Sequence, residues 1–152
     1  MRWYVSRWGG VRRNADATIQ RYVLTMDADL AGGPLAGIAS WSKVLAMRDP
    51  ARYAIFDARV SAALNALQIV WGDDAILFPR LPNQNRTIKA FNGWLKSEHH
   101  DTRRVQKGDV YPGYMALLRE VGSRLGHAAP DQVEMVLFAN AEVLAELAMR
   151  TS

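Results

Sequence analysis

Apolar residues along this chain recur at intervals of three and four, the spacing that gathers side chains on one side of a helix. Ala17 to Asp27 sets Ile19, Tyr22, Val23 and Met26 on one stripe, with Asp16 or Asn14 placed to cap it. Gly32-Gly33-Pro34 ends that pattern. A second helix is predicted from Ile38 to Met47. It stops at Asp49-Pro50, because proline has no amide hydrogen and its ring disfavours helix in the residue before it. The third runs from Asp57 to Val70, with Val60, Leu64, Leu67 and Ile69 as its apolar side and Asp57 as a candidate N-cap.

The middle of the chain reads differently. Trp71-Gly72-Asp73-Asp74 and Phe78-Pro79-Arg80-Leu81-Pro82-Asn83 carry turn residues and no helical period. Asn85 is placed to cap a helix from Arg86 to Lys96 that buries Ile88, Phe91 and Leu95. Ser97 to Val110 is polar and reads as an exposed connection. Two amphipathic helices follow, Tyr111–Leu125 and Asp131–Met149, with Gly126 closing the first and Pro130 at the favoured first-turn position of the second. No segment alternates with period two, so the pattern predicts an all-α fold, and 152 residues suit one compact helical domain over 1–152.

Composition narrows the chemistry. Hydrophobic residues make up 49% and charged residues 22%, ordinary for a globular chain and unlike a disordered one. The absence of cysteine removes disulfides, thiolate nucleophiles and Cys-based zinc sites, and suits a reducing cytoplasm as the expected location. Met1 to Gly10 has no apolar signal core, and no apolar run is long enough to cross a bilayer, so no membrane is expected. A net charge of +4 leans mildly toward an anionic partner.

Two places carry candidate chemistry. Gly33-Pro34-Leu35-Ala36-Gly37 forms a Gly/Pro-rich turn that opens the helix beginning at Ile38. The amides of Gly37, Ile38, Ala39 and Ser40 at such a helix start can hold a phosphate, or the turn can be a tight connector between packed helices. Asp57 stands at the mouth of the next helix, where a carboxylate can cap the amides, stabilise a nearby positive charge, or deprotonate a water. Lys43 lies one helical turn beyond Ala39 and reaches toward a phosphate, toward Asp57, or into solvent as a surface lysine.

These segments resemble the helix-hairpin-helix DNA glycosylases in degenerate form. Pro34 and Gly37 match the hairpin turn of that family, while Leu35 stands where its first glycine falls. Phe56-Asp57-Ala58-Arg59-Val60 is similar to the family's aspartate segment, with Arg59 in place of histidine. The family's Schiff-base lysine aligns with Ala39, not Lys43. Trp8-Gly9-Gly10-Val11-Arg12, Trp41-Ser42-Lys43-Val44-Leu45, Asp49-Pro50-Ala51-Arg52-Tyr53 and Val133-Glu134-Met135-Val136-Leu137-Phe138 resemble uncharacterised bacterial proteins with an 8-oxoguanine glycosylase-like fold.

The resemblance implies a glycosylase-like fold, duplex DNA with a damaged or modified base as partner, and hydrolysis of an N-glycosidic bond without a cofactor. Asp57 would be the key carboxylate and Lys43 its basic helper. Gly37, Ile38, Ala39, Ser40, Arg59, Arg12 and Arg13 would touch DNA, and Trp41 and Tyr53 would wedge or stack on the flipped base.

Other clusters are weaker. Arg12, Arg13, Arg80, Arg86, Lys89, Lys96, Arg103, Arg104 and Lys107 interleave with Trp8, Phe91 and Trp94, as a phosphate-lining array or a solvated face. Trp71, Tyr111 and Tyr114 read first as core. His99-His100-Asp101 and the distant His127 lack metal-ligand spacing, so no metal is expected. Glu134, Glu142 and Glu146 read as the polar face of the last helix. Two further functions remain open: a DNA-binding module of the same fold without chemistry, and a helical protein-interaction domain.

Overall fold

The computed structural model describes residues 16–33, 35–72, 77–98 and 104–151. Seven α-helices account for most of them: α1 (Asp16–Leu24), α2 (Asp27–Ala31), α3 (Ile38–Arg48), α4 (Ala58–Val70), α5 (Arg86–Ser97), α6 (Val110–Arg124) and α7 (Pro130–Thr151). Extended pairing among the described residues is limited to one isolated parallel bridge, Leu77 with Arg104. The fold is all-α. The chain gathers into two compact units, 1–56 with 107–133 and 57–106 with 134–152, so the chain passes between them at Phe56–Asp57, at Gln106–Lys107 and again inside α7.

In the first unit, the helix predicted from Ala17 to Asp27 is two helices. Thr25 Oγ1 donates to the Arg21 carbonyl at 2.7 Å. Arg48, at the end of α3, donates to the carbonyls of Val23 at 2.5 Å and Thr25 at 3.0 Å and pairs with Asp27. A cation on carbonyls left open at a helix end stabilises the stop. Met26 therefore leaves the predicted stripe and stands 73% exposed as the N-cap of α2, while Ile19 and Tyr22 are buried.

Gly37 caps α3 with φ 77°, in the left-handed region that glycine enters without strain. A Cβ there would collide with the Tyr22 hydroxyl, so glycine is needed both for backbone angle and for space. The core behind α3 is aromatic: Trp41 packs edge-on to Tyr111 at 4.8 Å, and Phe56 edge-on to Tyr114 at 5.0 Å.

The extended stretch Ala54–Phe56 has no strand partner among the described residues and is hydrogen-bonded by side chains. Tyr111 Oη donates to the Ala54 carbonyl at 2.9 Å and Tyr114 Oη to that of Ile55 at 2.7 Å. Ser42 Oγ accepts from the Phe56 amide at 3.1 Å. Burial, reinforced by the neighbouring Tyr53, raises the Tyr111 phenol far above its ordinary pKa, so it stays a donor.

The second unit is built on α4, which is buried at Ala58 and throughout Val60–Ala66. Of the predicted apolar side, Val60 and Leu64 are buried and Leu67 and Ile69 are half-buried. Small residues let neighbours approach its remaining faces. Asn65, fully buried, donates to the Phe78 carbonyl at 3.0 Å and accepts from the Phe78 amide at 2.8 Å. One turn earlier, Ser61 Oγ donates to the Pro79 carbonyl at 2.7 Å. Asn85 caps α5 through the Ile88 amide at 3.1 Å, and Ile88, Phe91 and Leu95 are buried as predicted.

The stretch from Ser97 to Val110 is not all an exposed connection. Lys107–Asp109 forms a 3-10 turn and buried Val110 already belongs to α6. Gly126 (φ 82°) and His127 (φ 69°) turn the chain toward α7, which Pro130 opens.

Candidate functional site: the head of helix α4

Asp57 is the N-cap of α4, and its Oδ1 accepts from the amides of Arg59 at 2.9 Å and Val60 at 3.2 Å. That single oxygen satisfies two of the amides that every helix start leaves open. Asp57 is half-buried, and its second oxygen, Oδ2, has no hydrogen bond among the described residues. The carboxylate thus has one atom fixed by the fold and one left for other chemistry.

Beside it, the Arg59 guanidinium binds Glu142 Oε1 of α7 at 2.6 Å and lies over the Phe138 ring, 5.1 Å from its centroid. Asn85 reaches the same Glu142 carboxylate with its side chain, and only its amide nitrogen can donate there. Its Oδ1 meanwhile caps α5. The Asn85 hydrogen bond is the main cause that holds the Glu142 carboxyl below its ordinary pKa; burial opposes it, and the charge and hydrogen bond of Arg59 add smaller lowering effects. The starts of α4 and α5 are therefore tied to one point on α7.

Sequence reasoning missed this use of Glu142 and Asn85. Glu142 shares helical spacing with Glu146 and was indistinguishable from a solvated face. Asn85 was legible as a cap but not as a donor to a residue far along the chain.

The remaining predicted site residues lie in the first unit or outside the described residues. Arg12 and Arg13 fall outside them, as do Pro34, His99, His100, Asp101 and Arg103. At the start of α3, the Ile38 amide donates to the Leu35 carbonyl at 3.0 Å and the Ser40 amide to that of Gly37 at 2.8 Å. Two of the four amides expected to grip a phosphate are thus used within the turn, and Ile38 and Ser40 are buried. Gly37 and Ala39 retain some exposure.

Trp41 and Tyr53 are core residues, 2% and 5% exposed. The Trp41 ring meets Tyr111, and the Arg52 guanidinium covers Tyr53 at 5.2 Å from the ring centroid. Neither offers a face to a flipped base in this arrangement. Lys43 is buried, 6% exposed, which corrects the surface-lysine alternative. Among the described residues, no group of three His, Asp or Glu side chains is placed to hold a metal ion.

No family model matches the chain, and none of the curated proteins or solved structures does. The described residues define an all-α protein in which helix α4 begins at an N-capping carboxylate, two residues before an anchored arginine. No described helix is long and apolar enough to cross a membrane.

Proposed function

We propose that the chain is a glycosylase-like DNA hydrolase that removes a flipped, damaged or modified base, with Asp57 as its key carboxylate. The supporting observation is the division of labour within that carboxylate: Oδ1 holds the helix start while Oδ2 is unengaged among the described residues. The sequence resemblance at Phe56–Val60 puts the family's aspartate at this position.

Loss of a base leaves positive charge on the sugar, which a fixed carboxylate stabilises electrostatically. In the proposed step a water oxygen bonds to C1′ as the C1′–N bond breaks. Asp57 Oδ2 receives the water proton and passes it to the base nitrogen that has kept the bonding electrons. Arg59, two residues from that carboxylate, is held by Glu142 as a cation available to DNA phosphate. Lys43 carries no step: the family's Schiff-base lysine falls on Ala39, and Lys43 is buried.

Asp57→Asn separates chemistry from folding, since asparagine is as good an N-cap as aspartate. The variant should melt with the parent and lose base release from a duplex carrying a panel of modified bases. Equal base release by the two proteins refutes the assignment.

A non-catalytic DNA-binding module is the second reading, favoured by the burial of Trp41 and Tyr53, the residues expected to line a base pocket. It requires duplex binding by parent and Asp57→Asn alike, with no base released by either.

A further inference from the structure

Helix α5 has an unusual division of charge. Its sequence, Arg-Thr-Ile-Lys-Ala-Phe-Asn-Gly-Trp-Leu-Lys-Ser, carries three cations and no acid, and no other described helix has more than two charges of a single sign without the opposite one. Ile88, Phe91 and Leu95 turn inward and are at most 1% exposed. The opposite face consists of Arg86, Lys89, Ala90, Gly93, Lys96 and Ser97, all exposed.

None of the three cations has a carboxylate or carbonyl partner among the described residues. Elsewhere such partners are common: Arg48 has Asp27, Arg59 has Glu142, and Arg124 has Glu120. The first acid beyond α5, Glu98, is its C-cap and falls off this face. Between the cations the surface is low, because Ala90 and Ser97 are small and a Cβ placed on Gly93 would meet nothing within 4 Å. From Arg86 to Lys96 the face extends about 15 Å at the usual rise per residue.

We infer that the outer face of α5 is a docking surface for the sugar–phosphate backbone of a nucleic acid, with Arg86, Lys89 and Lys96 as the phosphate contacts. Uncompensated cations beside small residues allow an anionic backbone to lie close to the helix. An anionic membrane fits less well, since a helix that settles into lipid needs large apolar side chains beside its cations. Here those side chains are inside the protein. The inference shares with the proposed function only its class of polymer. Asp57→Asn abolishes base release without touching α5, so the two readings fail separately.

Three phosphate contacts predict that log K falls with log salt at a slope of about −2.7 on duplex DNA and about −2.1 on a single strand. The test is a fluorescence-anisotropy titration of the full chain between 50 and 200 mM salt, using a labelled duplex DNA of arbitrary sequence and an RNA of equal length. Arg86→Ala/Lys89→Ala/Lys96→Ala should weaken binding at 50 mM at least about tenfold and take about 2 to 3 from the slope on duplex DNA. Gly93→Gln adds bulk without charge, and should weaken binding while leaving the slope nearly unchanged.

Loss of slope on DNA or RNA supports the surface, and the polymer showing it is the ligand. An unaltered slope in the triple variant overturns the inference. So does binding confined to phosphatidylserine vesicles. Circular dichroism of each variant confirms that these exposed substitutions leave the helices intact.

Discussion

The clamp from Asn65 to Phe78 gives the sharpest energetic prediction. Asn65→Leu keeps the side chain's size and apolar fit but withdraws both of its bonds, at 2.8 and 3.0 Å, from the Phe78 backbone. Phe78 is 8% exposed and Asn65 is fully buried, so water cannot readily replace those bonds. A buried backbone group deprived of its bond costs about 1–3 kcal/mol, and the leucine regains part of this through its own burial. The expected net loss is about 2–4 kcal/mol. Ser61→Ala withdraws one bond from the half-buried Pro79 carbonyl, which solvent partly satisfies, and should cost about 0.5–1.5 kcal/mol. Urea denaturation followed by far-UV circular dichroism measures both as shifts of midpoint at constant slope. If Asn65→Leu unfolds within about 0.5 kcal/mol of the parent, the clamp does not hold this segment to α4.

Two further outcomes are expected. Gly37→Ala should destabilise by more than the roughly 1–2 kcal/mol of a left-handed alanine, because its methyl group also meets the Tyr22 hydroxyl. In a Tyr22→Phe background the same change should cost less, and equal costs in a denaturation cycle would refute the steric part. Glu142 has a lowered pKa in the folded chain, so its contribution is present above the ordinary carboxylate range, about 4.3, and is lost as pH falls through the depressed value. Urea midpoints should therefore fall more steeply with acidification for the parent than for Glu142→Gln. Parallel profiles would show that Asn85 and Arg59 do not favour the ionised form.

What was legible in the sequence follows the range of the interaction concerned. The Asp57 and Asn85 caps, the inward face of α5 and the Pro130 start of α7 depend on residues within one turn, so pattern and propensity expose them. The break between α1 and α2 depends on Arg48, more than twenty residues onward, and nothing near Thr25 announces it. The same limit applies at the site. Asp57 and Arg59 are two residues apart, but Glu142 meets Arg59 across 83 residues of sequence. Trp41 and Tyr53 show a third difficulty: an aromatic ring suited to stacking on a base is equally suited to a core, and burial alone separates the two.

The lacing of Ala54–Phe56 bears on the order in which the chain becomes structured. Carbonyls of Ala54 and Ile55 are bonded by hydroxyls 57 and 59 residues later. A ribosome-bound chain that has not yet reached α6 has helix propensity for α3 and α4 but lacks the two tyrosine hydroxyls that bond the Ala54 and Ile55 carbonyls between them. The approach to Asp57 is therefore completed only after the second half of the chain has been made, and closing so long a loop places it among the slower steps of folding.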